Sequence, residues 1–229
     1  PRSRGLGDVY KRQIEAIGDN HISSNVDTPL LQSAFDKTDE EKISKIQVHF
    51  SNIMEELGLD LSDDSLSGTP YRFAKMYVKE LFYGLNPKNR PKLSTFENKY
   101  GYNKMLIEQN INIDSSCEHH FLPIVGHAHI GYIPNKKVIG LSKINRLVDY
   151  YAHRPQVQER LCIQILKDLQ ETLEIEDVII VINAKHMCVS SRGIKDKSSF
   201  TTTIEYGGHF KEKEFRNSFF DSLKFKVEE

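Results

Sequence analysis

The feature that most limits how this chain can fold is a change of hydrophobic period near its middle. From Met105 to Ile113 apolar residues alternate with other residues, which is typical of a half-buried strand, and residues 121–133 repeat the pattern. A continuous apolar run, Val178 to Ile182, predicts a strand buried on both faces. The β-branched residues 200–206 predict a fourth strand.

Two helices are predicted between the first strand pair and the second. Ser142 is the expected N-cap of the first helix, and Pro155 is expected at the first position of the second helix. The order β-β-α-α-β-β predicts an α+β fold, an antiparallel four-stranded sheet with both helices on one face. Because such a sheet has two open edges, we expect identical subunits to join edge to edge.

A helical region is predicted before the sheet. Thr38 and Glu41 form a capping box that starts one helix, and Thr69-Pro70 starts another that runs to Gly84. The first helix carries an apolar face formed by Ile43, Ile46, Phe50, Ile53, Met54 and Leu57. We divide the chain into a mobile arm (1–37), a helical region with linker (38–99), a catalytic domain (100–210) and a C-terminal tail or helix (211–229).

Composition argues against several classes of protein. The net charge of −1 over 229 residues lacks the basic excess of a nucleic-acid-binding protein. No apolar run approaches the roughly 20 residues that span a bilayer. Three cysteines are too few for a disulfide framework, and no secretory leader pattern is visible. We therefore expect a cytoplasmic protein whose thiols are available to a metal, with neither nucleic acid nor membrane as a partner.

Residues 117–120 read Cys-Glu-His-His, and residues 186–188, far downstream, read His-Met-Cys. Zinc prefers thiolate and imidazole ligands, and a catalytic zinc keeps three protein ligands and one open position. Cys117, His120 and Cys188 are therefore candidate ligands of one zinc ion. Spacing alone leaves the alternative of buried thiols and a core histidine open.

Other cysteine and histidine residues have simpler interpretations. Cys162 lies on a helical apolar face beside Leu161 and is expected to be structural. His127 and His129 alternate along a strand and are expected on its surface. A second metal site is the alternative for these two histidines, although no partner ligand is evident for it.

Four segments, in this order, closely resemble GTP cyclohydrolase I of the zinc-dependent type. They are CEHHF (117–121), VIGLSKINR (138–146), RPQVQER (154–160) and HMCVSSRG (186–193), and the resemblance extends from about Leu59 to Phe210. It implies a tunnelling fold, in which the sheets of several subunits join into a ring. It also implies a homodecamer of two stacked pentamers with active sites between subunits.

The reaction implied by this resemblance converts GTP and water into 7,8-dihydroneopterin triphosphate and formate, the first step towards tetrahydrofolate or tetrahydrobiopterin. Zn²⁺ is the implied cofactor, held by the three candidate ligands named above. His119 and His186 are the implied proton-transfer groups, and imidazole titrates near neutral pH as such groups require. Ser142 matches a catalytic residue near the ribose.

The resemblance also implies a set of substrate-binding residues. Glu159 matches the guanine anchor, because one carboxylate can accept hydrogen bonds from both N1–H and N2–H of guanine. The implied set comprises Glu159, Gln158, Leu141, Lys143, Arg146, Arg192, Arg72 and Lys75. Without the resemblance, Arg72 and Lys75 would be interpreted as a solvated helix face. These residues come from distant segments, so a monomer is expected to be inactive.

Two alternative functions remain at this point. A nitrile reductase of queuosine synthesis shares the tunnelling fold, but its chemistry needs a nucleophilic cysteine and a nicotinamide cofactor. The second cysteine, Cys188, argues against this alternative. A non-catalytic, zinc-stabilised oligomer that only binds purines would have no use for the two extra histidines, His119 and His186.

Overall fold

The computed structural model of the chain describes residues 27–224. Its α-helices are α1 (Asp39–Glu56), α2 (Asp64–Ser67), α3 (Thr69–Met76), α4 (Leu141–Ala152), α5 (Gln158–Leu173), α6 (Met187–Ser190) and α7 (Lys213–Ser222). Its strands are β1 (Thr95–Glu97), β2 (Leu106–Cys117), β3 (Pro123–Tyr132), β4 (Lys137–Ile139), β5 (Pro155–Gln156), β6 (Val178–His186) and β7 (Thr201–Tyr206). Residues 1–26 of the predicted arm and 225–229 of the predicted tail lie outside the described residues.

The central sheet contains the four predicted strands and one more. Its order is β5-β2-β3-β6-β7, and β2, β3, β6 and β7 pair antiparallel with their neighbours. The additional strand, β5, pairs in parallel with Ser116 and Cys117 at the end of β2. This short strand therefore lies against the predicted metal cluster.

Helices α4 and α5 cover one face of the sheet, and their apolar residues form the main core with β2, β3 and β6. The segment Val178–Ile182 is buried throughout, as predicted. Its second face is covered because Phe210 and Phe219 pack on Ile179 and Val181. Helices therefore lie on both faces of the sheet. The prediction placed helices on one face only, and α7 covers part of the other face.

Two predicted helix starts are wrong by a few residues. Ser142 lies in the first turn of α4, and Gly140, in an extended conformation, is the N-cap. Pro155 lies in β5 because the neighbouring end of β2 pairs with it, and α5 begins at Gln158. A local proline rule could not anticipate a pairing between segments almost 40 residues apart.

The helix predicted to end at Gly84 stops earlier. Regular α-helix ends at Met76, and a π-turn (Tyr77–Leu81) and a 3₁₀ turn (Tyr83–Leu85) follow. Gly84 contacts α4 so closely that a Cβ there would lie 2.0 Å from the carbonyl oxygen of Tyr150. The predicted linker after it also contains β1, which pairs with β4.

An aromatic cluster connects the N-terminal helices to the sheet. Phe50 and Phe73 stack with ring centroids 3.5 Å apart, and Phe73 stacks on Tyr77. Phe82 contacts Phe121, the residue after the Cys-Glu-His-His segment. The C-terminal end of α1 is less buried than predicted, because Leu57, which follows its last residue, is 73% exposed. Within residues 27–224, no helix is long and apolar enough to cross a bilayer.

Candidate metal and nucleotide site

The Cys-Glu-His-His segment forms a tight turn between β2 and β3. The Cys117 amide donates a hydrogen bond to the Leu122 carbonyl at 2.8 Å, and the Phe121 amide donates to the Cys117 carbonyl at 2.8 Å. Phe121 has a φ of +54°, a left-handed conformation that is uncommon for a bulky residue. The Phe121 ring contacts Tyr77 and Phe82, and the turn presents the intervening side chains at the end of the sheet.

A second set of contacts fixes the turn from the side of α5. The Glu118 amide donates to the Gln156 carbonyl of β5 at 3.0 Å. The Glu118 carboxylate pairs with Arg160 at 2.5 Å, and the Arg160 side chain is 3% exposed. Sequence reasoning missed this ion pair, although an arginine on the buried side of a helix is itself a signal. A buried charge is retained only where it is paired.

The turn brings the three predicted ligands together. Donor atoms of Cys117, His120 and Cys188 all lie within 4.8 Å of one another, and Cys117 Sγ is 3.9 Å from His120 Nδ1. Ligand atoms around a tetrahedral zinc stand about 3.3–3.8 Å apart. Two sulfurs and one imidazole nitrogen at this spacing fit a zinc ion after a small contraction, and they leave one coordination position open.

The electrostatics of the two thiols also fit a cation site. Burial raises the pKa of Cys188, and the neighbouring Cys117 raises it further because two thiolates would repel each other. A bound dication reverses this balance, since metal ligation deprotonates thiols. Cys188 therefore favours the neutral thiol without a metal and becomes a thiolate when it binds one.

His120 has a second contact, with an arginine. Arg192 Nη1 lies 2.6 Å from His120 Nε2, and a guanidinium can only donate. A neutral imidazole that binds metal through Nδ1 carries its proton on Nε2 and cannot accept this hydrogen bond. Metal binding through Nδ1 therefore requires the hydrogen bond between Arg192 and His120 to break. The Arg192 guanidinium would then be available to bind an anion.

The two predicted proton-transfer histidines have different partners. His119 Nδ1 is 3.7 Å from Cys117 Sγ, and His119 Nε2 is 3.8 Å from a carboxylate oxygen of Glu118. Burial lowers the pKa of His186, and the nearby Glu159 carboxylate partly opposes this shift. His186 Nε2 lies 2.8 Å from the amide oxygen of Gln158.

The predicted substrate-binding residues separate into two groups. Arg192 contacts His120 and so belongs to the cluster. Glu159, exposed in the first turn of α5, is linked to the cluster through the effect of its carboxylate on the pKa of His186. Gln158 is buried beneath it. Among the hydrogen bonds and ion pairs described for residues 27–224, none joins the cluster to the remaining predicted residues, Leu141, Ser142, Lys143, Arg146, Arg72 and Lys75. Arg72 instead donates to Ser65 and Thr69 nearby.

Comparison with known proteins agrees with this arrangement. The family model described as GTP cyclohydrolase I matches residues 46–224. The chain is 58% identical over 211 residues to GTP cyclohydrolase 1 of Flavobacterium johnsoniae, covering 92% of this chain and 95% of that protein.

Other relatives carry the same name at lower identity. GTP cyclohydrolase 1 of Aeromonas hydrophila is 50% identical over 203 residues, with 88% of this chain and 92% of that protein covered. The Shewanella oneidensis protein of that name is 52% identical over 186 residues, with 81% and 85% covered. The family match includes the whole segment from about Leu59 to Phe210 over which the motifs are similar. It supports neither the nitrile reductase nor the non-catalytic purine-binding oligomer. The chain therefore belongs to the GTP cyclohydrolase I family.

Proposed function

We propose that the chain is a zinc-dependent GTP cyclohydrolase I. It hydrolyses the imidazole ring of the guanine in GTP, releases C8 as formate and forms 7,8-dihydroneopterin triphosphate for folate or biopterin synthesis. The observation that carries the proposal is the convergence of Cys117, His120 and Cys188 beside two further histidines. The shared name of the relatives supports GTP as the substrate.

Zinc would be held by Cys117, His120 and Cys188, whose donor set and spacing suit it. When bound, it supplies a Lewis acid that eases deprotonation of a nucleophilic water at neutral pH. The protein contributes the rigidity of the site. The Glu118–Arg160 ion pair and the pairing of β5 with β2 hold the turn in place.

The histidines supply the proton transfers. Water attacks C8 of a neutral purine poorly, so N7 needs to gain a proton as the new C–O bond forms. His119, whose ring lies beside Cys117 Sγ, and His186, two residues before Cys188, offer imidazoles for this transfer and for the later protonation of the leaving nitrogen. Ser142 would then act near the ribose, whose ring opens before the new ring closes.

Glu159 would anchor the guanine. Its carboxylate can accept hydrogen bonds from N1–H and N2–H, which lie on the edge of guanine opposite C8. An anchor at Glu159 therefore directs C8 towards the histidines. The effect of its carboxylate on the pKa of His186 supports a position near that histidine. Leu141 would pack against the substrate.

The triphosphate would need several positive charges beside the cluster. Arg192 is adjacent to it, whereas Arg72, Lys75, Lys143 and Arg146 would be supplied by neighbouring subunits. The proposed assembly is a decamer of two stacked pentamers. The outer edge of β7, which pairs only with β6 among the described strands, supports joining of sheets between subunits.

The direct test is incubation of the purified protein with GTP. Formation of formate and of a pterin that fluoresces after oxidation is expected, together with close to one zinc per subunit. His119→Ala should retain zinc and lose most turnover, at least about a hundredfold, because a positioned acid–base group is removed.

The outcomes separate the two parts of the proposal. Wild-type protein without pterin formation would contradict the assigned reaction. His119→Ala with unchanged turnover would instead contradict only the proton-transfer role of His119. His209→Ala is the matched control, because His209 lies away from the cluster, paired with Asp177.

A further inference from the structure

Gln158 occupies an unusual position for a residue expected to bind substrate. It is the first residue of α5 and is 1% exposed. Its side-chain nitrogen lies 3.1 Å from the Ile182 carbonyl, 3.0 Å from the Thr201 carbonyl and 3.2 Å from the Thr203 hydroxyl. The amide therefore ties the start of α5 to the neighbouring strands β6 and β7.

These partners determine which way the amide points. The two carbonyl oxygens can only accept hydrogen bonds, so they require the NH₂ group of Gln158. With the amide reversed, its oxygen would face two acceptors, and buried polar atoms would lose their hydrogen-bond partners, which is unfavourable. The amide oxygen consequently points the other way, towards His186 Nε2 at 2.8 Å.

We infer that Gln158 is a positioning residue that orients the His186 ring and keeps a proton on its Nε2. An amide oxygen can only accept, so Nε2 has to donate, and the neutral ring then carries its lone pair on Nδ1. The inference rests on the proposed function, because it concerns how one of the two catalytic histidines of that function is held.

This geometry argues against direct contact between Gln158 and guanine. Both ends of the amide are already engaged, and a base could reach it only after those hydrogen bonds break. The adjacent Glu159 is exposed and available to substrate. The two adjacent residues therefore have different roles. Glu159 is the one that would contact the substrate, and Gln158 orients His186 through a buried hydrogen bond.

Thr203 provides an independent way to disturb the amide, and Thr202 provides its control. Successive residues of a strand point to opposite faces of the sheet. The Thr203 hydroxyl contacts Gln158, whereas the Thr202 hydroxyl accepts from the Asn183 side chain at 2.9 Å. Changing either threonine to valine replaces one hydroxyl group of β7 with a methyl group. Only Thr203→Val removes a hydrogen-bond partner of Gln158.

The direct test reads the protonation of each nitrogen of His186. We would record solid-state ¹⁵N NMR spectra of zinc-loaded, histidine-labelled protein near neutral pH and identify His186 by the signals lost in His186→Asn. A protonated Nε2 and an unprotonated Nδ1 are expected in the wild type, and a mixture of both tautomers in Gln158→Met. A wild-type ring protonated on Nδ1 alone would overturn the inference.

Kinetics with GTP separate positioning from binding. In Gln158→Met, kcat should fall about 10- to 100-fold while KM changes less than about threefold, because a group acting through another residue is lost. A large rise of KM with kcat retained would identify Gln158 as a substrate contact instead. Unchanged kcat and KM would make it merely structural.

The threonine variants keep the inference testable if Gln158→Met does not fold. Thr203→Val should lower kcat about two- to fivefold, Thr203→Ser should restore it, and Thr202→Val should leave it unchanged. Equal kcat in the two valine variants would overturn the inference. The NMR measurement needs no turnover, so a protein inactive on GTP would contradict the proposed function without deciding the tautomer.

Discussion

The ligand group and the predicted phosphate-binding residues behave differently in a single chain. Cys117, His120 and Cys188 come from segments about 70 residues apart in sequence, yet one chain brings their donor atoms within 4.8 Å. Arg72 and Lys75 belong to α3, and no hydrogen bond or ion pair described for residues 27–224 joins them to that cluster. Resemblance to the same family predicted both sets.

The difference follows from the range of the forces involved. A metal ligand set tolerates errors of only tenths of an ångström, so it is built where β2, β3 and β6 pair rigidly. Phosphate charge acts over about 8–10 Å in salt solution and can be neutralised by groups from another subunit. The proposed ligand group therefore forms within one chain, whereas we propose that part of the charge for the triphosphate comes from the assembly.

The largest expected effect comes from breaking the ligand group. Cys188→Ala should lose bound zinc and reduce turnover of GTP at least about a thousandfold, since one of three ligands is gone. Elemental analysis and pterin formation measure the two losses. Cys162→Ala is the control because Cys162 is fully buried in α5, and it should keep its zinc. Zinc retained at the wild-type level in Cys188→Ala would refute the ligand assignment.

A smaller effect is expected at the basic residues. Reversing both charges in Arg72→Glu with Lys75→Glu should lower kcat/KM about a hundredfold, mainly through KM, because each substitution replaces attraction with repulsion of the triphosphate. Zinc content should not change. Lys167→Glu with Lys213→Glu alters the net charge equally at other exposed positions and should leave KM nearly unchanged. Equal KM values in the two double variants would exclude Arg72 and Lys75 from the site.

The smallest signal is also the most specific for a shared site. Subunits carrying Cys188→Ala and subunits carrying the Arg72→Glu and Lys75→Glu pair should regain activity when they assemble together. In an equal mixture, about a quarter of the sites would combine an intact ligand group with intact cations from a neighbour. Activity no greater than the sum of the separate variants would show that each chain supplies both sets itself.

Some features of this protein follow from local sequence. Hydrophobic period predicted β2, β3, α4 and α5, because burial on one face imposes a period of 2 or 3.6 on any sequence. A continuous apolar run predicted β6, and β-branched residues predicted β7. The capping box at Thr38 and Glu41 is present at the start of α1 for the same local reason. Ligand types are equally local, because the chemistry of a thiol or an imidazole belongs to the residue.

Tertiary structure decided the rest. Pro155 lies in a strand because β2 pairs with it, and α3 stops short of Gly84, which packs against α4. Arg160 and Gln158 are buried because each has a polar partner from a distant segment. Arg160 pairs with Glu118, and Gln158 forms a hydrogen bond with His186. Sequence determined which chemical groups are present and which segments carry them. Only the folded chain determined which nitrogen, sulfur and carboxylate atoms meet, because hydrogen bonds and metal ligation act over a few ångströms between residues far apart in sequence.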